Sequence, residues 1–173
     1  DTVRRSNGYL ANTHDNAPGQ VQFDVETATA ASGGGNGAIE VVHITTRGLQ
    51  YLGEANTLSA VTNTTTVTII GTSLGADDCI VNNDIYFTSG DASGEGGTIT
   101  DYNGTTKVVT FTPAVTAPSS TDGYAIGPKV VISGDGQGAN VRCTVNSTGG
   151  INATAVIAGG NNYSNASITV VSN

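Results

Sequence analysis

Two histidines, two cysteines and fourteen acidic residues are the groups in this chain of 173 residues whose types could do chemistry. Nucleophilic catalysis needs a Ser, Thr or Cys within reach of a base, usually His. His14 lies in an unpatterned opening stretch, His43 sits mid-strand among apolar neighbours, and no Gly-x-Ser-x-Gly elbow occurs. Neither histidine is placed as a base. A zinc site needs about four Cys or His ligands at close spacing, and His14, His43, Cys79 and Cys143 are scattered. Cys79 and Cys143 read as small, half-buried strand residues, with a disulfide between them as the other reading. Asp77, Asp78 and Asp84, and Asp91 with Glu95, are close enough in sequence to raise a paired-carboxylate hydrolase or a calcium cage. The Asp-x-Asx-x-Asx-Gly spacing is absent, and acids in a turn-rich sequence commonly cap turns and stay solvated. Gly134-x-Gly136-x-Gly138 follows a strand but opens no helix and lacks a Lys-Ser/Thr, so it reads as a hairpin turn rather than a phosphate loop. No catalytic, cofactor-binding or metal-binding residue is assigned, and the chain is not expected to be an enzyme.

Tyr51 and Tyr163 occupy the same place in two similar segments. They could form a paired binding platform. The plainer reading is a Tyr that closes a Gly-rich turn with its ring on the preceding strand and its hydroxyl exposed. Asn-x-Ser/Thr sequons start at Asn63, Asn103, Asn146, Asn152, Asn162 and Asn165. They would imply glycans in a secreted eukaryotic protein, but chance matches are common in so Asn-, Ser- and Thr-rich a chain.

The elements that must position these groups are strands. The chain holds 24 Gly, no Met, no Trp and only 12% charged residues, while Thr, Val, Ile, Asn and Ser abound. Builders of long helices are scarce, so the fold class is all-β with many turns. Six bases against fourteen acids give a net charge of −8. Nucleic acid needs a clustered basic face, and an anionic membrane surface is disfavoured for the same reason. No apolar run approaches the ~18–20 residues of a membrane span, and no signal peptide is visible. A chain that starts at Asp1 reads as a processed product or a piece of something larger.

The first twenty residues end in Pro18-Gly19 and read as an extended arm that a partner would order. An internal repeat follows. Ile39-x₄-Ile44-x₃-Gly48-x₂-Tyr51 reappears as Ile151-x₄-Val156-x₃-Gly160-x₂-Tyr163, every position shifted by 112 (151 − 39, 163 − 51). Upstream, Val21-x-Phe23-x-Val25 matches Val141-x-Cys143-x-Val145, and each copy is expected to end in a short strand, Leu58 to Val61 and Ile168 to Val171. Between the copies, five β-rich runs (TTVTIIG, DIYFTSG, GGTITDYNG, TKVVTFTP and YAIGPKVVISG) suggest a small barrel or sandwich. Asn103-Gly104 is the clearest hairpin signal. The expected organisation is an arm over 1–20, a paired β-repeat module over 21–63 and 131–173, and an inserted small β-barrel over 64–130.

The run GADDCIVNNDIYFTSGDASGEGGTITDYNGTTKVVTFTPAVTAPSSTDGYAI resembles a module common in tailed-bacteriophage virion proteins. It matches that pattern in Ser89-Gly90, Gly94, Gly96, Thr98 to Gly104, Thr106-Lys107 and Pro118, and departs from it at Gly97, where an arginine often stands. The flanking copies resemble a glycine-rich repeat of phage tail, baseplate and fibre proteins, read here as Ser133 to Ala139, Gly149-Gly150-Ile151, Gly159-Gly160 and Tyr163. The whole is similar to the β-rich insertion of baseplate wedge proteins of T-even-like cyanophages. The resemblance implies a non-enzymatic virion structural protein without cofactor, assembling with copies of itself or with neighbouring virion subunits. The alternatives are a secreted adhesin or extracellular filament subunit, and a carbohydrate-binding module using the tyrosines.

Overall fold

Short β-branched runs separated by Gly, Asn and Asp can satisfy their backbone groups only by pairing with one another. In the computed structural model, which describes residues 9–12, 21–27, 37–47 and 51–171, they do so as fourteen strands. The fold is all-β. His14, Gly48 and most of the opening arm lie outside the described residues, as does the side chain of His43.

Two hairpins form the repeat. The first joins β2 (Val21–Thr27) to β3 (Ile39–Arg47), with β1 (Tyr9–Asn12) on the outer edge of β2. The arm expected to wait for a partner therefore supplies one strand to its own chain. The second hairpin joins β12 (Gln137–Val145) to β13 (Ile151–Asn161). Two irregularities interrupt each ladder, between Gln22/Phe23 and Glu26/Thr27 in one, between Asn140/Val141 and Thr144/Val145 in the other. These positions coincide at an offset of 118 (140 − 22, 144 − 26). The true counterparts of Phe23 and Val25 are thus Val141 and Cys143, two residues away from the alignment that apolar alternation suggested. An even slip keeps every side chain on its own face, so the pattern alone could not expose it.

The hairpins meet face to face through reciprocal contacts. The Tyr51 N–H donates to the Gly149 carbonyl at 2.9 Å, and the Tyr163 N–H donates to the Gly37 carbonyl at 2.9 Å. Both pairs map onto each other by the repeat offset (163 − 51 and 149 − 37 are each 112). Thr154 Oγ1 donates to the carbonyl of Val42, its own counterpart, at 2.7 Å. Contacts in which i touches j and j touches i, with one residue touching its equivalent, are the mark of a two-fold axis. Here the axis is internal and passes beside Val42 and Thr154. Gly37 and Gly149, at φ 69° and 78°, turn the two hairpins alike. Ile39, Val42, Val141, Cys143, Ile151 and Ile168 are buried between them.

The second core belongs to a seven-stranded antiparallel sheet. Its members, in spatial order, are β4 (Glu54–Thr57), β10 (Gly123–Gly127), β7 (Asp84–Phe87), β8 (Gly96–Asn103), β9 (Val108–Thr112), β6 (Thr66–Thr68) and β5 (Ala60–Asn63). β4 and β5 stand at opposite ends, yet only Leu58 and Ser59 separate them in sequence. Leu58 N–H donates to Asp122 at 3.0 Å and Ser59 N–H to Thr68 at 2.8 Å, so this corner draws the two ends together. The sheet curls into a barrel-like shell around Ile85, Phe87, Ile99, Tyr102, Phe111 and Tyr124. The Phe87 and Phe111 rings lie 5.9 Å apart and tilted by 56°, a favourable aromatic pairing.

This sheet begins at Glu54, earlier than the expected boundary. Leu58 to Val61 is not the closing strand of the first repeat: Leu58 is buried in the barrel core. At the repeat offset, the counterpart of β14 (Ala166–Val171) is the polar β4, which left the hairpin to join the barrel. The final β-rich run is divided by Pro128, with β10 in the barrel and β11 (Lys129–Gly134) paired to β14. Gly134, Gly136 and Gly138 form no hairpin, because β11 and β12 belong to different sheets and the glycines carry the corner between them.

Candidate functional site

The acidic residues singled out by spacing are not gathered into one site. Asp77 Oδ1 accepts the Gly104 N–H at 2.7 Å, and Asp78 Oδ1 accepts the Tyr102 N–H at 3.4 Å. Glu95 accepts the N–H and hydroxyl of Thr116 at 2.6 and 2.7 Å, which holds its carboxyl below the ordinary range. Asp91 is exposed on the turn after β7. Among the described residues no three His, Cys, Asp or Glu side chains converge as metal ligands.

Asp84 is the exception. It is 3% exposed, accepts the Thr98 hydroxyl at 2.8 Å and forms an ion pair with Arg142. Asp84 belongs to the barrel and Arg142 to β12, so the pair clamps the two modules together. Beside it, Cys143 Sγ donates to the Pro128 carbonyl at 3.1 Å, and burial pushes its thiol up to about 12. Such a thiol is inert as a nucleophile. Cys79 lies in the turns before β7, not on a strand, and packs against the barrel core. Both cysteines are free, and they belong to different cores.

Three sequons prove to be turn devices. Asn63 Oδ1 accepts the N–H and the hydroxyl of Thr65, and Asn146 Oδ1 accepts the same two groups of Thr148. Asn103 Oδ1 accepts the N–H groups of Thr105 and Thr106 across the β8–β9 hairpin. An Asn whose side chain mimics a backbone carbonyl two residues ahead explains why Asn-x-Thr recurs in this chain.

The two tyrosines have different surroundings. Tyr163 is 6% exposed, more enclosed than the sequence suggested, and its ring lies directly on the backbone of Gly136, where a Cβ would meet Cδ1 at 2.6 Å. Asp135, next to that glycine, accepts the N–H groups of Ser164 and Asn165 at 3.0 and 2.9 Å and also the Ser164 hydroxyl. These bonds pull the Asp135 carboxyl down to about 2 and seal the corner over the ring. Tyr51 packs against the same core cluster. It is half-buried and lines an open groove of about 660 Å³ between the barrel and the β12–β13 turn.

That groove is the principal candidate site. One wall is the segment from Tyr51 to Asn56, the second is Thr72 and Ser73, and the third is the turn from Val145 to Gly149. Among the described residues, none that lines it is Lys, Arg or His. Its one carboxylate, Glu54, is engaged: Oε1 accepts the Gly71 N–H at 2.7 Å and the Tyr124 hydroxyl. Tyr124 also accepts the Ile70 N–H at 3.0 Å, and burial with the adjacent Glu54 carboxylate raises its phenol. Tyr51, Val145 and Gly149 carried a signal through the repeats and Asn146 through its sequon, but the walls lie far apart in sequence and nothing there brought them together. No protein-family profile, curated protein or solved structure matches the chain.

Proposed function

We propose that the chain is a non-enzymatic structural module of a tailed-phage particle, a tail, baseplate or fibre component that works through contacts between subunits. The observation that carries this reading is the use made of its reactive side chains. Asp77, Asp78, Glu95 and Asp135 hold turns, Asp84 joins two modules, and the Cys143 thiol is buried. A chain that spends its acids on rigidity while carrying a net charge of −8 suits a soluble part that keeps its shape through assembly. The reading also rests on the resemblance of the glycine-rich repeat and the inserted run to virion modules.

Mass spectrometry of purified particles from a phage that encodes the chain tests the reading. Its peptides are expected in the particles at a level comparable with other tail parts. Recovery only from the culture medium of uninfected cells would overturn it in favour of an adhesin or extracellular filament.

A further inference from the structure

We infer that Asn103-Gly104 is a latent deamidation site that the folded chain keeps silent, and that Asp77 is the residue that guards it. The inference holds whether or not the chain is a virion part. In deamidation the backbone nitrogen of the following residue gives up its proton and attacks the side-chain carbonyl carbon of Asn. The bond to the side-chain nitrogen breaks, ammonia leaves, and water opens the cyclic imide to aspartate or isoaspartate. Glycine is the fastest following residue, because it has no Cβ to hinder the approach and its backbone turns freely. By sequence, Asn103-Gly104 is therefore the most labile Asn pair among the described residues.

Both reacting groups are held. Asn103 Oδ1 accepts the Thr105 and Thr106 N–H groups at 3.0 and 2.8 Å, which fixes the side chain over the turn. The Gly104 N–H donates to Asp77 Oδ1 at 2.7 Å, and the Lys107 N–H donates to the Asn103 carbonyl at 2.8 Å. Gly104 is buried, and a Cβ on it would meet the Gly75 carbonyl oxygen at 2.5 Å, so the freedom that makes glycine fast is gone. The attacking nitrogen must pass through an anion, and a carboxylate beside it disfavours that charge. Asp77 is far too weak a base to keep an amide proton for itself. It acts twice, as tether and as repelling charge.

The side chains of the Asp-Gly pairs, which can form the same imide with loss of water, are held as well. Asp122 accepts the Ser119 N–H at 2.9 Å and the Ser119 hydroxyl at 2.7 Å, while the Gly123 N–H donates to Ser89 Oγ at 2.7 Å. Asp135, before Gly136, accepts the Ser164 and Asn165 N–H groups. At Asn103 the partner of the nitrogen is a carboxylate, so substitution can separate the tether from the charge. The consequence of losing the guard is local: isoaspartate at 103 would add a backbone atom to the hairpin that joins β8 to β9.

The test incubates the full chain in mildly alkaline buffer, folded and in guanidinium, and follows the peptide 101–107 released by proteases that cut before Asp101 and after Lys107. Mass reads the conversion of amide to acid, and enzymatic methylation reads isoaspartate. Folded wild type is expected to convert Asn103 about a hundredfold more slowly than the denatured chain, the order of a misplaced reacting pair. Asp77→Asn, which removes the charge and keeps an acceptor, should speed conversion in the folded chain about tenfold, the order of one pKa unit at the nitrogen. Asp77→Ala, which removes the tether too, should speed it further. Asp91→Asn takes the same charge from an exposed turn at the opposite end of β8 and should leave the rate within about twofold. The inference is overturned if folded wild type converts as fast as the denatured chain. It is equally overturned if neither Asp77 variant, each still folded by its amide spectrum, converts faster than wild type.

Discussion

The two hairpins share a register, a pair of ladder irregularities and a reciprocal pair of hydrogen bonds, yet their outward sides differ. On the second copy, β14 continues from the hairpin with Ala166 and Ile168 buried, and the β11–β12 corner closes over Tyr163. On the first copy the matching positions are Glu54 and Asn56 (166 − 54 and 168 − 56 are both 112), and the strand leaves to join the barrel. The departure leaves a groove beside Tyr51, which stays half-buried against the hairpin core. One duplicated unit thus carries a sealed face and an open face, and the difference comes from where the next strand goes. The docking is also one-sided: Arg142 reaches Asp84, while its counterpart in the first copy is Asp24 (142 − 24 is 118).

The largest expected effect breaks that one-sided docking. Arg142→Ala leaves Asp84 buried without its cation, a change that costs about 3–5 kcal/mol in comparable pairs. Urea denaturation should show the loss, whereas Arg142→Met combined with Asp84→Leu should recover most of it. A loss under about 1 kcal/mol in the single variant would mean that the ion pair does not join the modules. Next come the paired core residues Ile39 and Ile151, 1% and 0% exposed. Truncating either to Ala should cost about 2–5 kcal/mol, and the two losses should agree within about 1 kcal/mol if the hairpins are equivalent. A wide disagreement would break the internal symmetry.

A smaller effect separates the sealed face from the open one. Gly136→Ala places a methyl against the Tyr163 ring and should cost about 1–3 kcal/mol, while Ser147→Ala on the open side should stay within about 0.5 kcal/mol. The smallest effect is a pH dependence at the sealing corner. The folded Asp135 carboxyl lies near 2 against an ordinary 3.8, so its contribution is present above about pH 4 and lost as pH falls from there towards 2. Acid unfolding of Asp135→Asn should lack that part of the slope. An unchanged acid limb would show that the corner is not held by this carboxylate.

The all-β class and the pairing of the two copies were legible because Ile39, Ile44 and Tyr51 recur at a constant spacing with Ile151, Val156 and Tyr163. The exact hairpin register was not, since the irregularities at Gln22/Phe23 and Glu26/Thr27 disturb a period-two pattern without moving residues across faces. β4 escaped notice because Glu-Ala-Asn-Thr has no apolar alternation. It is held by pairing with β10 and by the bond from the Tyr124 hydroxyl to Glu54, both long-range. Gly134, Gly136 and Gly138 look like a hairpin tip in sequence, and only the pairing of β11 with β14 reveals a corner. The groove shares that obscurity, being assembled from three distant segments of ordinary polar residues.

The central claim, that two equivalent hairpins are locked about an internal two-fold axis, is tested most directly by scalar couplings across hydrogen bonds. A long-range nitrogen–carbonyl NMR experiment should show Tyr51 coupled to Gly149 and Tyr163 coupled to Gly37, with similar strength. If the sheet couplings appear but either of these two is missing or leads to another carbonyl, the two copies are not joined as described.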